Sequence, residues 1–185
     1  MTRVRKLSGV AMRTVFLLGL LSSAASGCSG ADQNNNNSPV SACGPSDGVV
    51  TRVLDGDTVD LESGVRLRYL LVDTPEIAHN ASEDACCFSD EARLFNESLV
   101  LGQAVTLEYD QQCQDMYGRT LAYVSLGERM VNRLLVERGY ARVEIIAPNG
   151  KYADDFKALE ASAKAANAGL WGACSTQACP MGAFK

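Results

Sequence analysis

The spacing of apolar residues predicts an ordered region that begins near residue 48 and mixes strands with helices. Apolar runs bounded by turn residues predict strands at 49–54, 58–61, 65–72, 105–109 and 120–126. Helical periodicity predicts helices at 89–101, 130–138 and 152–163, with a short strand between the last two. This order favours an α+β fold, a closed or nearly closed antiparallel barrel of five strands with three packed helices, as in OB-fold-like proteins. Periodicity alone does not exclude other α+β folds.

Turn and capping residues set the predicted boundaries of these elements. Asp55-Gly56-Asp57 lies between the first two apolar runs and is a strong hairpin signal. Pro75 ends the third strand, because proline has no N–H to donate to a neighbouring strand. Ser89 is of a residue type that caps helices and is expected to cap the first one.

The first 28 residues have the composition of an export signal. Basic residues without any acid are followed by the apolar run 15–21, by small residues and by Cys28. The apolar run is too short to span a bilayer. The segment 25–28 resembles a bacterial lipobox, although Ala25 stands where leucine is preferred. We therefore expect lipidation of Cys28, with a plain cleaved signal peptide as the alternative, and Ser29 favours sorting to the outer membrane or cell surface.

Composition then divides the chain into four parts. These are a lipoprotein signal peptide at 1–27, the lipidated Cys28 with an Asn-rich flexible linker at 28–47, one domain at 48–174 and a tail at 175–185. The expected product is a monomer anchored to a membrane through Cys28.

Net charge limits the way in which the domain can bind a polyanion. Four of the 17 Lys and Arg residues lie in the leader, which leaves 13 against 22 Asp and Glu residues, a formal net charge of −9. Affinity for nucleic-acid phosphates comes largely from Lys and Arg. Any chemistry on nucleic acid must therefore rest on a local site and not on a generally basic surface.

Six cysteines follow Cys28. An even number in an exported chain favours disulfides over zinc, since the sequence has no C-x-x-C pair and a single histidine. Adjacent Cys86 and Cys87 are expected to have different partners. The first pairs we consider are Cys174 with Cys179 and Cys87 with Cys113.

Three short segments carry the candidate chemistry, at 55–58, 68–76 and 115–123. Taken singly they are a hairpin, a capped turn and the start of a strand. Arg68, however, lies on an apolar strand, where a charge needs partners. Asp57 and Asp73 could neutralise it or supply oxygen ligands to Ca²⁺, Mg²⁺ or Mn²⁺. Glu76 could orient or deprotonate water, and Arg119 could bind a phosphate together with Arg68.

Together and in this order, the three segments resemble the staphylococcal nuclease family over residues 49–171. The resemblance implies a Ca²⁺-dependent nuclease that cleaves DNA and RNA with little sequence preference and leaves 3′-phosphates. It implies Asp57, Asp73 and the Thr74 carbonyl as Ca²⁺ ligands, Glu76 as general base, Arg68 and Arg119 on the scissile phosphate, and Tyr117 on a nucleotide phosphate.

The sequence departs from the family at two places near the expected nucleotide. Met116 stands where the prototype has a lysine, and the segment 143–147 has none of the tyrosines found there. Stacking on aromatic rings contributes roughly 1–3 kcal/mol per base, so we expect weaker binding or a different nucleotide preference. His79 is expected to be a surface residue without a catalytic role.

Two alternatives to an enzyme remain at this point. The first is an inactive module of this fold that binds nucleic acid or protein, but such a module would be expected to lack some of the catalytic acids or arginines. The second is a structural envelope lipoprotein, which would leave Arg68, Arg119 and the three acids unexplained.

Overall fold

The computed structural model describes residues 42–78 and 85–174, all within one compact unit of the chain, Asn37–Lys185. Within the described residues the strands are β1 (Asp47–Val53), β2 (Thr58–Leu61), β3 (Arg66–Tyr69), β4 (Val72–Asp73), β5 (Ala104–Glu108), β6 (Thr120–Leu126), β7 (Arg129–Met130) and β8 (Arg142–Val143). The helices are α1 (Ser89–Val100), α2 (Val131–Glu137), α3 (Ala153–Ala165) and the short α4 (Leu170–Ala173).

Five strands form a closed barrel, which confirms the predicted α+β, OB-fold-like architecture. The sheet order is β3-β2-β1-β5-β6-β7, and a further pairing of β3 with β6 closes the barrel. The prediction of an antiparallel barrel is wrong for this closing pair, since β3 and β6 run parallel with Leu67 opposite Thr120. The connection between them contains α1 and β5, and it is long enough to return the chain in the direction that a parallel pair requires.

The third predicted strand, 65–72, is divided into two short strands. β3 ends at Tyr69, Leu71 takes a left-handed backbone conformation (φ 62°), and β4 pairs with β8 instead of with the barrel. Leu70, Leu71 and Val72 are all buried, so the apolar run shows no alternation that would reveal the break. The bend leaves Asp73 at the end of the barrel, where the next residue contacts the β1–β2 turn.

The apolar core fills the barrel and the space between the barrel and the helices. Tyr69 and Tyr123 are among its largest fully buried side chains. Helix α2 is fixed to the barrel by Asn132, whose amide donates to the Leu70 carbonyl and whose Oδ1 accepts from the Val124 N–H, each at 2.8 Å. Asn132 is fully buried, so these bonds satisfy polar groups that water cannot reach.

The ends of two helices differ from the prediction. Phe88 (φ 72°) occupies the position before α1 and makes no capping hydrogen bond through its side chain, so Ser89 is the first residue of the helix and not its cap. Gly169 (φ 53°) leads into α4, which the sequence pattern did not predict. A Cβ at Gly169 would lie 2.3 Å from the carbonyl oxygen of Gly139, so the close approach of the two backbones requires glycine.

Two disulfides in the described part of the chain join segments that are distant in sequence. Cys43 bonds to Cys113, and Cys87 bonds to Cys174. The pairs first considered, Cys174 with Cys179 and Cys87 with Cys113, are therefore wrong. The fold brings the start of α1 to the end of α4, and the segment before β1 to the loop before β6, and neither approach is visible in cysteine spacing.

Cys86 is also disulfide-bonded, so the expectation that it and its neighbour have different partners is confirmed. None of the helices in residues 42–78 and 85–174 has the length and apolar character needed to cross a bilayer. The expected signal peptide at 1–27, the lipidated Cys28, His79 and the tail at 175–185 lie outside the described residues.

Candidate active site

The turn between β1 and β2 brings a carboxylate into the end of the barrel. The two strands pair antiparallel, which confirms the hairpin predicted from Asp55-Gly56-Asp57. Oδ1 of Asp55 accepts a hydrogen bond from the N–H of Asp57 (2.9 Å), a local bond that favours turns. A Cβ on Gly56 would lie 2.6 Å from Cγ2 of Thr74, so only glycine lets the turn pack this closely against Thr74.

Both oxygens of the buried Asp57 carboxylate accept hydrogen bonds. Oδ2 accepts from the N–H (2.8 Å) and the hydroxyl (2.9 Å) of Thr74 and lies 3.1 Å from Nη1 of Arg68. Oδ1 accepts from the hydroxyl of Thr58 at 3.1 Å. Because each carboxylate oxygen has about two acceptor positions, Oδ1 has capacity for a further ligand.

Arg68 is buried at the centre of a cluster of carboxylates. Its Nη2 lies 3.2 Å from Oδ1 of Asp73 and 3.4 Å from Oε2 of Glu144, and its Nη1 contacts Asp57. Nη1 also donates to two backbone carbonyls at the end of β3 and in β4. The sequence predicted the contacts with Asp57 and Asp73, which explain how a buried guanidinium is tolerated.

Burial and the repulsion of neighbouring carboxylates make the ionised forms of Asp73 and Asp55 unfavourable. Burial raises the pKa of Asp73 to about 8; Arg68 opposes this shift, and the neighbouring carboxylates, first among them Asp57, add to it. Burial and the charge of Asp57 raise the pKa of Asp55 to about 7. One arginine therefore does not neutralise the cluster, and a cation beside the acids would stabilise their ionised forms.

The donor atoms at this end of the barrel fit a hard divalent cation. The carboxylates of Asp57 and Asp73 and the carbonyl of Thr74 are all oxygen donors, and Ca²⁺ takes roughly six to eight oxygens, including those of water and substrate. No group of three or more His, Cys, Asp or Glu side chains in the described chain is arranged as a metal site. The candidate ligand set has two carboxylate side chains and one backbone carbonyl, which is fewer than three such side chains. Water and substrate oxygens would complete the shell.

A cavity of about 160 Å³ brings together residues from all three candidate segments. Asp57, Glu76 and Arg119 line it, beside Asp55 and Arg66. Glu76 is half-buried, and its backbone carbonyl accepts a hydrogen bond from the N–H of Cys86 (3.0 Å). The Glu76 segment is thereby connected to the disulfide-bonded start of α1.

The loop before β6 holds Arg119 through Asp115. Oδ2 of Asp115 accepts from Nε of Arg119 at 2.6 Å, and its Oδ1 accepts from the backbone N–H groups of Tyr117 and Arg119, each at 2.9 Å. The Tyr117 side chain is exposed, and Cζ of Arg119 lies 5.5 Å from the centre of its ring. Asp115 thus fixes the position of the arginine and of the loop that carries the tyrosine.

Two residues of the site were not singled out from the sequence. Glu144 reaches Arg68 because β8 pairs with β4, a contact between residues 76 positions apart that no local pattern indicates. Asp115 belongs to a segment that was recognised, but its role was not. Asp115 lies four residues before Arg119. This spacing predicts a contact between two side chains only within a helix, and this segment is a loop.

A second cavity, of about 280 Å³, is lined by Arg68 but not by residues of the β1–β2 turn. Its walls include Arg68, Tyr117, Arg119, Glu144 and Ile146, together with Met116 and the leucines at 70, 71 and 121. Met116 and the segment 143–147, which both depart from the family pattern, therefore contribute to the same cavity. Their aliphatic side chains are exposed there, 87% for Met116 and 62% for Ile146.

The closed barrel with helices on its outside, and the acids and arginines gathered at one end of it, define a small α+β protein with a candidate metal and phosphate site. A family model described as "Staphylococcal nuclease homologue" matches residues 66–173. The chain belongs to the staphylococcal nuclease family.

Curated relatives agree with this assignment. A thermonuclease of Staphylococcus hyicus is 38% identical over 125 residues, which are 66% of this chain and 73% of the relative. A thermonuclease of Staphylococcus intermedius is 36% identical over 126 residues, 66% of this chain and 74% of the relative. Endonuclease YncB of Bacillus subtilis is 37% identical over 127 residues, 65% of this chain and 59% of the relative. These relatives identify the chain as a nuclease of this family.

Proposed function

We propose that the chain is an exported, Ca²⁺-dependent endonuclease that hydrolyses phosphodiester bonds of DNA and RNA with little sequence preference and leaves 3′-phosphates. The observation that carries the proposal is the buried contact of Arg68 with Asp57 and Asp73, beside a cavity that Glu76 and Arg119 also line. Membership of a nuclease family supports the reaction type.

Arg68 and Arg119 supply fixed positive charge for the phosphate. Arg68 is held by Asp57 and Asp73, and Arg119 by Asp115, so neither guanidinium has to be ordered during the reaction. The planar fork of arginine matches two phosphate oxygens. Charge placed in advance stabilises the negative charge that accumulates on the phosphoryl oxygens in the transition state.

Glu76 is the proposed general base. It accepts a proton from a water molecule, the water oxygen bonds to phosphorus, and the bond from phosphorus to the 5′-oxygen breaks. The departing 5′-oxygen takes up a proton from solvent, which leaves a 3′-phosphate and a 5′-hydroxyl. A Ca²⁺ ion held by Asp57, Asp73 and the Thr74 carbonyl would polarise the phosphate and offset its charge when bound. Tyr117, exposed next to Arg119, would contact a neighbouring nucleotide phosphate.

We also propose that the enzyme is a monomer attached to the outer membrane or the cell surface through lipid on Cys28. The basic and apolar leader and the cysteine at the end of a lipobox-like segment support this location. Fractionation of cells that express the wild-type chain or Cys28→Ser tests it. The wild type should sediment with membranes and the variant should not, whereas equal distribution of the two would contradict the anchor.

The experiment that tests the function compares cleavage of plasmid DNA and of RNA by four variants of the full chain in Ca²⁺. Glu76→Gln removes the proposed base and should lower the rate roughly 10²–10⁴-fold. Arg119→Ala removes a phosphate ligand and should lower it roughly 10²–10³-fold. Glu128→Gln and Arg138→Ala remove the same charges at exposed positions away from the cavities and should leave the rate unchanged.

Equal activity of Glu76→Gln and Glu128→Gln, with both proteins folded, would contradict the assignment of the base. Loss of activity on DNA but not on RNA, or the reverse, would contradict a common site for the two substrates. A folded wild-type chain that binds nucleic acid without cleaving it would favour an inactive binding module.

A further inference from the structure

A groove of about 730 Å³ lies next to the candidate active site. It is lined by Tyr117, Gly118 and Arg119 from the loop before β6, and by residues of the first three strands and their turns, namely Thr51, Asp60, Leu61, Gly64 and Arg66. The cavity of about 280 Å³ that contains Ile146 shares only Tyr117 and Arg119 with this groove. Arg119 therefore stands where two separate depressions meet.

Arg66 connects the groove with the catalytic cavity, since it lines the groove and also the cavity of about 160 Å³ that contains Asp57 and Glu76. Its side chain is 45% exposed. Arg66 and Arg119 thus provide two guanidinium groups along one continuous surface, in a domain whose overall charge is negative. An acidic protein needs such locally placed guanidinium groups in order to bind a polyanion.

Arg66 shares the carboxylate of Asp60 with a second arginine, and Asp55 lines the neighbouring cavity beside it. Asp60 accepts two hydrogen bonds from Arg66, at 2.7 and 3.2 Å, and one from Nε of Arg52 at 2.9 Å. Two arginines share this single carboxylate, and the Arg52 side chain is 61% exposed. A guanidinium has five N–H donors. Two N–H groups of Arg66 bond to Asp60, which orients the side chain, and the other three do not bond to Asp60.

The ion pairs of Arg66 add little to the stability of the fold. Ion pairs between exposed side chains contribute about 0–1 kcal/mol. Arg66 adds a second arginine two residues before the buried Arg68, on the strand that carries the site. Because side chains alternate along a strand, Arg66 and Arg68 lie on the same face of β3, opposite the core residues Leu67 and Tyr69. Arg68 is buried, whereas Arg66 is exposed and lines the groove.

We propose that this groove is a second phosphate subsite, in which Arg66 binds the backbone of the nucleic-acid strand beyond the scissile phosphate and Arg52, bound to the same Asp60, adds a further guanidinium. The inference rests on the proposed function for its substrate class. It assigns the strand a path from the cavity of about 280 Å³ to the groove, past Arg119, which lines both. A substrate that spans both depressions then binds more tightly than a dinucleotide, which is the behaviour of an enzyme that cuts within long chains.

Equilibrium binding in EDTA tests the subsite separately from catalysis, because no divalent cation is then present for cleavage. The probes are fluorescently labelled 12-residue oligothymidylate and oligouridylate, with the unlabelled thymidine and uridine dinucleotides as competitors, added to the full chain in detergent. In the wild type the 12-mers should bind more tightly than the dinucleotides. This ratio of affinities should fall roughly fivefold in Arg66→Gln, and to a smaller extent in Arg52→Gln.

Salt dependence distinguishes a phosphate contact from a general loss of structure. The slope of log Kd against log salt concentration should decrease by about 0.7 in Arg66→Gln, as expected when one contact to a single strand is lost. Arg66→Lys keeps the charge and should keep the slope. Arg133→Gln is the matched control, since Arg133 is a similarly exposed, ion-paired arginine outside the groove, and its ratio and slope should equal those of the wild type.

A ratio and slope in Arg66→Gln equal to those of Arg133→Gln would overturn the proposal, and so would a wild type that binds 12-mers no better than dinucleotides. An effect on oligothymidylate alone or oligouridylate alone would overturn a subsite for the shared phosphate backbone. Absence of cleavage with every cation would instead contradict the proposed function and leave the binding result standing by itself.

Discussion

Replacement of Gly56 by alanine is a sharp test of how the candidate site is built. Gly56 lies in the turn between Asp55 and Asp57, and an added Cβ would lie 2.6 Å from Cγ2 and 2.7 Å from both Cβ and Oγ1 of Thr74. Real Cβ atoms do not approach other heavy atoms this closely. Thr74 is itself held by two hydrogen bonds to Oδ2 of Asp57, so it cannot move away without loss of at least one of them.

The expected cost combines two terms. Insertion of a methyl group into a packed site destabilises a protein by about 1–3 kcal/mol, and loss of a hydrogen bond to a buried carboxylate adds about 1.5–3 kcal/mol if it is not replaced. We expect Gly56→Ala to lower the free energy of unfolding by about 3 kcal/mol. Displacement of a catalytic carboxylate by about 1 Å can lower the rate about 10²-fold, and we expect a loss of that order.

Urea unfolding and the initial rate of DNA cleavage measure the two effects. Gly150→Ala is the matched control, because the nearest atom to its added Cβ is Cγ2 of Ile145 at 4.0 Å, and it should change stability by less than about 0.5 kcal/mol. Thr74→Gly removes all three clashing atoms. The double variant Gly56→Ala/Thr74→Gly should therefore be destabilised by less than the sum of the two single changes. Additive effects, or a Gly56→Ala protein as stable and active as Gly150→Ala, would refute this reasoning.

Three further predictions concern residues around the site. Asp115→Asn loosens the hold on Arg119 and should lower the cleavage rate roughly tenfold while the melting temperature changes little; an unchanged rate would contradict its positioning role. Replacement of both Cys43 and Cys113 by serine opens a loop of 70 residues and should lower the free energy of unfolding by about 4 kcal/mol, measured in urea. Burial alone would raise the pKa of Asp110, but hydrogen bonds from backbone N–H groups and a tyrosine hydroxyl outweigh it and lower the pKa below its ordinary value. The stabilisation from this carboxylate is then complete above the unfolded-state pKa of about 3.9 and is lost as the pH falls through the lower folded-state pKa, so wild type and Asp110→Asn should converge in stability in acid.

Local signals in the sequence were sufficient for the hairpin and for the centre of the site. Asp-Gly between apolar runs specifies a turn through backbone preferences that act within a few residues, and β1 and β2 pair around it. A charged residue within an apolar strand implies buried partners, and Arg68 does contact Asp57 and Asp73. The roles of Glu76, Arg119 and Tyr117 in catalysis and binding stay predictions.

Features that depend on tertiary approach were not predictable in the same way. The break after Tyr69 lies in a run that is buried throughout, where alternation gives no information. Glu144 reaches Arg68 through the pairing of β4 with β8, and the disulfide of Cys43 with Cys113 depends on how the barrel closes. The parallel pairing of β3 with β6 likewise follows from closure of the barrel and not from either strand alone.

The most direct test of the account is the Ca²⁺ dependence of cleavage by the full chain with its disulfides intact. Labelled DNA and RNA would be incubated over a range of free Ca²⁺ concentrations, in EDTA, and in EDTA followed by excess Ca²⁺, and the ends of the products would be identified. The account predicts cleavage that saturates with Ca²⁺, stops in EDTA, returns when Ca²⁺ is restored and leaves 3′-phosphates. A folded chain that leaves both substrates intact in Ca²⁺, Mg²⁺ and Mn²⁺ would contradict it.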